Sequence, residues 1–144
     1  MGWWSEDILG GDGPLDTIAE IEDILEIEDL YPLDAVEEKS KVAQAIEEKT
    51  EQLVELMDKS DHIYSEVLAV VIMSMGAKMD HRIKTAALQA AQSENPVQDG
   101  WGNPEARQTV LDEFCDLVEK YDNKPVQIKH ASLFDKMEQF FKDK

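Results

Sequence analysis

Val67 to Met75 reads V-L-A-V-V-I-M-S-M, with Ser74 as its only polar residue. An element built from these residues has no face suited to water, and a helix that is apolar all round belongs inside a bundle or a membrane. The run is too short for a bilayer, which a helix crosses in roughly 20 residues, and Glu66 and Lys78 bracket it. It therefore reads as a buried central element that the other segments wrap. Its β-branched side chains would also suit a buried strand. No other segment offers convincing strand partners, so helix is the better reading. The expected fold is all-α, a bundle of about five to six helices around a buried central helix.

A chain of 144 residues makes one ordinary domain, residues 1–144, long enough to bury about two-thirds of its unfolded surface. With 42% hydrophobic and 32% charged residues, it holds enough apolar side chain to offset the entropy of ordering. Cys115 is the single cysteine, which excludes an internal disulfide framework and fits a reducing compartment. No basic region followed by an apolar one opens the chain, so the expected location is the cytoplasm.

Charge is the unusual quantity. The chain carries 32 acids and 14 bases, a net of −18, and they are unevenly placed. Thirteen acids fall in residues 1–38 before Lys39, the first base, whereas the remainder holds 19 acids against 14 bases. Such a field repels nucleic acid and anionic lipid, so neither direct nucleic-acid binding nor a membrane surface is expected. A basic protein surface would be attracted.

Residues 1–14 hold four of the seven glycines beside Trp3 and Trp4. They read as an ordered, sharply turning loop pinned to the body by the tryptophans. A Gly-rich loop before a helix can cradle phosphate, but no lysine is present here, and Asp12 and Asp16 oppose an anion. A structural cap is the stronger reading. Pro14 suits a first helical position after Gly13. Leu15, Ile18, Ile21 and Leu25 then recur at helical spacing, and the helix is expected to end near Leu30, before Tyr31-Pro32. Its solvent side carries Asp16, Glu20, Glu22, Asp23, Glu26, Glu28 and Asp29. At helical rise this is roughly one charge per 3.4 Å, about the spacing along one DNA strand.

A second helix is expected over about 34–58, burying Val42, Ile46, Leu53 and Met57 behind an outer face of alternating sign. Ser60 or Asp61 can cap the central helix, which stops near Gly76. An alanine-rich helix follows over about 80–93, with Ile83, Ala87 and Ala91 inward, after the local basic cluster Lys78, His81, Arg82 and Lys84. Trp101 sits in the next loop. Asn103 and Pro104 supply a cap and a first turn, and Val110, Phe114, Leu117, Val118 and Tyr121 form an inward stripe. Val126 to Ile128 reads as briefly extended, and Ser132 with Asp135 opens a terminal helix burying Leu133, Met137, Phe140 and Phe141.

Three stretches carry a resemblance: the opening G-W-W-S-x-x-I-L-G-G-D-x-P-L-D, the central L-A-V-V-I-M-S-M-G-A, and the closing Y-D-N-K-P-V-x-I…L-F-D-K-M. Together they resemble landmarks of small uncharacterised proteins from bacteria and their phages. That group brings no known activity, cofactor or catalytic residue. The resemblance implies a compact accessory protein rather than a metabolic enzyme.

Two sets of residues invite a chemical reading. Glu47-Glu48-x-x-Glu51 resembles the first half of the magnesium motif of all-α nucleotide pyrophosphohydrolases, since carboxylates at this spacing can share a hard cation with phosphates. The second acidic group such enzymes need would have to come from Glu66, which apolar residues follow, so a solvated surface is the stronger reading. His62, His81 and His130 lack metal-motif spacing, and Cys115 reads as a buried, inert thiol.

The leading expectation is thus a non-enzymatic acidic protein without a cofactor, binding a basic protein surface, by nucleic-acid charge mimicry in its most specific form. Asp16, Glu20, Glu22, Asp23, Glu26, Glu28 and Asp29 would form the face, with Trp3, Trp4 or Trp101 as anchors. One alternative is a Mg²⁺-dependent nucleotide hydrolase using Glu47, Glu48, Glu51 and Glu66. Another is self-association, in which the acidic face docks on the 78–84 basic cluster of a second copy.

Overall fold

A computed structural model describes residues 12–28, 30, 36–60, 62–99 and 103–126. Among these the chain forms six helices and no strand: α1 (Asp12–Leu25), α2 (Lys39–Glu48), α3 (Thr50–Lys59), α4 (His62–Met75), α5 (His81–Ser93) and α6 (Pro104–Lys120). The expected Gly/Trp loop with Trp3 and Trp4, the loop residue Trp101, Asp29, His130 and the expected terminal helix lie outside the described residues.

The apolar run is helical and central. Every residue of α4 from Tyr64 to Met75 is buried. The β-branched Val67, Val70, Val71 and Ile72 each give up less than about 0.7 kcal/mol of helix propensity. Full burial of such a side chain returns about 1.5–3 kcal/mol, so packing decides the conformation. α5 covers α4 most extensively, followed by α1 and α2, while α6 lies against α5. Close approach of α5 is possible because Ala87, Ala90 and Ala91 present almost no side-chain bulk. Ser65 donates its hydroxyl to the carbonyl of His62 at 2.9 Å, with that of Ala86 on α5 3.5 Å away.

Several boundaries differ from expectation for identifiable reasons. α1 begins at Asp12, earlier than Pro14, and ends at Leu25 rather than near Leu30. Glu26 adopts a left-handed φ of 59°, and the N–H of Ile27 returns to the carbonyl of Glu22 at 3.1 Å. This is the Schellman closure that normally uses glycine, which hides it from a reading based on glycine and proline. The single helix expected over 34–58 is two helices meeting at Lys49. Thr50 donates its hydroxyl to the carbonyl of Ile46 at 2.9 Å, a back-bond that bends helices. Ser60 closes α3, donating to the carbonyl of Leu56 at 2.8 Å, rather than opening α4, and Asp61, the other candidate cap, lies outside the described residues.

The cap of α6 is the one expected, and α5 has a side-chain cap as well. Asp80 Oδ1 accepts from the N–H of Arg82 at 2.8 Å, and Asn103 Oδ1 accepts from that of Ala106 at 3.1 Å. The buried stripe of α6 is Arg107, Leu111, Phe114 and Val118. Val110, Leu117 and Tyr121, expected inward, are half-buried at its edges.

The C-terminal end of α4 is closed twice. Gly76 has φ +76°, and the N–H groups of Gly76 and Ala77 both reach the carbonyl of Ile72, at 3.0 and 3.2 Å. Residues 121–126 then cross this end. The Tyr121 hydroxyl reaches the carbonyls of Ala77 and Ile72, and the N–H of Val126 donates to Met73 at 2.8 Å. A Cβ on Gly76 would stand 2.6 Å from Pro125 Cδ, so glycine is required both by its backbone angle and by the proline ring above it. The central stretch and the described part of the closing one, residues 121–126, are therefore packed on one another.

Candidate functional site

Two groups of carboxylates stand out, one outside the fold and one inside it. On the outside, α1 buries Ile18, Ile21 and Leu25 and turns Asp16, Glu20 and Asp23 to solvent. Those three acids recur at helical spacing on one face, and exposed Glu28 follows the helix end. Among the described residues Asp16, Glu20, Asp23 and Glu28 make no ion pair with the protein's own bases.

Two of the other acids expected on this face are engaged. Glu22 is half-buried and accepts the N–H of Leu30 on Oε2 at 3.2 Å. Glu26 lies 3.6 Å from Lys49 Nζ. The free row is consequently sparser than the sequence suggested, with Asp16, Glu20 and Asp23 separated by about 5 Å along the axis. Beneath it, the Tyr64 hydroxyl is buried without a hydrogen-bond partner among the described residues. Burial, and secondarily the charge of Glu20, raise its pKa above the ordinary tyrosine value.

On the inside, Arg107 joins two acids. Its Nη2 lies 2.9 and 3.0 Å from the two carboxylate oxygens of Glu94, and its Nε lies 3.2 Å from Glu94 Oε1. The same Nη2 is 3.5 Å from Glu66 Oε1. The side chains of Arg107, Glu66 and Glu94 are 1%, 1% and 4% exposed. The triad ties the second turn of α4 and the first turn of α6 to the residue that ends α5. An isolated carboxylate costs several kcal/mol to bury, which explains why Glu66 can open the apolar run: a guanidinium waits for it. Arg107 went unnoticed in the sequence because a lone arginine on an amphipathic helix usually faces water. Its register with Leu111, Phe114 and Val118 was the available signal.

The residues considered for a magnesium site are dispersed in their engagements. Glu66 belongs to the triad. Glu51 receives two guanidinium nitrogens of Arg82, whose Nε also bonds Asp80 Oδ1 at 2.9 Å. This arginine holds both the Glu51 and Asp80 carboxyls below their usual pKa range. Glu48 accepts from the Gln44 amide at 3.3 Å, and Glu47 is exposed. Among the described residues, no three His, Cys, Asp or Glu side chains gather into a metal-binding group.

Cys115 is half-buried rather than buried. Desolvation, then the charges of Glu119, Asp112 and Glu66, raise its pKa and hold it as the thiol. His62 and His81 are both exposed. In the basic cluster, Arg82 is committed to Glu51 and Asp80, whereas Lys78 is exposed and Lys84 half-buried.

A second acidic surface escaped the sequence reading. Glu105, Asp112, Glu113, Asp116 and Glu119 are exposed on α6, where Lys120 pairs with Asp116 at 3.0 Å. Among the described residues no helix is long and apolar enough to cross a membrane. No family model, curated protein or solved structure matches this chain.

Proposed function

We propose that this chain is a non-enzymatic acidic binding protein whose α1 face engages a basic protein surface. The observation that carries the reading is the set Asp16, Glu20, Asp23 and Glu28, exposed and without ion pairs among the described residues. They lie in a stretch, residues 1–38, with 13 acids and no lysine or arginine. Carboxylates left in water keep their full charge for steering, and this long-range field speeds association with a partner of opposite sign.

The specific form is a cytoplasmic accessory factor of the phage or mobile-element type that occupies a nucleic-acid-binding surface. Net charge supports that form better than geometry does. The free row of α1, at about 5 Å per carboxylate, is wider than the roughly 3.4 Å phosphate spacing of one DNA strand.

Affinity capture from a native host at low and high salt tests the reading. Wild-type protein retains a basic protein at low salt and releases it at high salt, because exposed charges are screened. The quadruple variant Asp16→Lys, Glu20→Lys, Asp23→Lys, Glu28→Lys loses it at low salt. A partner retained equally by that variant removes the α1 face from the account.

A further inference from the structure

We propose that residues 121–126 are a strap that opens and closes over the C-terminal end of α4 while the rest of the bundle stays packed. The unevenness of its attachment motivates the idea. The strap reaches the bundle through the Tyr121 hydroxyl, which contacts the carbonyls of Ala77 and Ile72, and through the Val126 N–H on Met73. Among the described residues, Tyr121 and Val126 are its only side chains packed on the apolar core, and both are half-buried. Between them Asp122, Asn123, Lys124 and Pro125 are exposed, and the one ion pair there, Lys124 with Asp122 at 3.8 Å, lies within the strap itself.

Among the described residues, opening therefore breaks few bonds and uncovers little apolar surface. The flanks of α4 stay covered by α5, α1 and α2, none of which belongs to the strap. Segments held by few buried contacts open locally at a free energy well below that of global unfolding. The geometry also supplies a place to bend. α6 ends at Lys120, Tyr121 is extended at φ −60° and ψ 129°, and Asn123 has φ 66°. Asparagine tolerates that left-handed angle better than most residues.

Closure is equally specific. The Gly76 and Ala77 N–H groups both turn to Ile72, which leaves the Met73 carbonyl to Val126. The Pro125 ring rests where any other residue at position 76 would place its Cβ. In the open state the Met73 carbonyl loses the Val126 N–H and the Ala77 carbonyl loses the Tyr121 hydroxyl.

Native-state hydrogen exchange on the full chain tests the strap. The Val126 N–H is expected to exchange at least about a hundredfold faster than that of Val70, with little dependence on low concentrations of urea. Tyr121→Phe should speed Val126 exchange by roughly tenfold, the equivalent of one hydrogen bond. Ile46→Val, which weakens the core beside α4, should speed Val70 exchange by roughly three- to tenfold and leave Val126 unchanged. Val126 and Val70 exchanging with the same free energy and the same urea slope would overturn the proposal. So would Ile46→Val accelerating both amides by one factor.

Discussion

Glu66 and Glu94 carry the same charge as Asp16, Glu20, Asp23 and Glu28, in opposite circumstances. The first two lie inside the bundle, and Arg107 grips both of them. The other four stand in water and make no ion pair among the described residues. A charge withdrawn from water must be matched on the spot, because its desolvation penalty exceeds several kcal/mol. A charge left in water needs no match and contributes little to stability. The two groups differ accordingly in what they do for the fold: the triad positions helices, whereas the α1 row stays exposed to solvent.

Removing Arg107 should give the largest effect. Arg107→Ala leaves two buried carboxylates without their guanidinium and is expected to cost about 3–5 kcal/mol, measured by urea unfolding. If the cost is electrostatic, Arg107→Met combined with Glu66→Gln and Glu94→Gln should lose clearly less than Arg107→Ala alone. Equal losses would mean that Arg107 acts by packing, and the contrast between the two groups would fail.

Gly76→Ala comes next, at about 2 kcal/mol, because the left-handed angle is strained for alanine and Pro125 must move. A variant with unchanged stability would show that the strap has no fixed seat on α4.

The phenols provide a pH test of the same region. Burial raises Tyr121 to about 12, and Tyr64 is raised as well. A tyrosine whose pKa is higher folded than unfolded favours folding while protonated. That contribution is complete below the unfolded value of 10.0 and is lost as pH rises toward about 12. Stability measured over this alkaline range should fall, and Tyr121→Phe should make the fall shallower.

Asp80→Ala removes the cap of α5 and should cost about 1 kcal/mol. Reversing any one of Asp16, Glu20, Asp23 or Glu28 to lysine should change stability by no more than about 0.5 kcal/mol. In a chain of net charge −18 the sign is expected to be favourable. A loss of several kcal/mol from one of these reversals would mean that the α1 row is structural after all.

Much of the architecture could be read from local rules. The run from Val67 to Met75 offers no polar face, and so its burial followed directly. Asn103-Pro104 marked the start of α6, and Ile83, Ala87 and Ala91 marked the inner side of α5. The features that could not be read depend on contacts distant in sequence or on an unusual residue in a common role. Glu26 ends α1 in a conformation usually left to glycine. Thr50 bends a helix through a hydroxyl that reads as ordinary surface. Arg107 is inward where Glu94, 13 positions before it, and Glu66, 41 positions before it, both meet its guanidinium. For the candidate face, the sequence located the excess charge. It could not show that Glu22 and Glu26 are engaged internally, or that α6 presents acids of its own.

That second acidic surface makes the most direct test possible. Titrate one defined lysine- and arginine-rich peptide by calorimetry into three proteins at low salt: wild type, the quadruple α1 reversal, and a charge-matched reversal of Glu105, Asp112, Glu113 and Glu119 on α6. The account predicts that the α1 variant weakens binding by at least about tenfold and that the α6 variant, with identical net charge, weakens it far less. Equal weakening by the two variants would show that the peptide responds to bulk charge alone, contradicting the claim that α1 is a binding face.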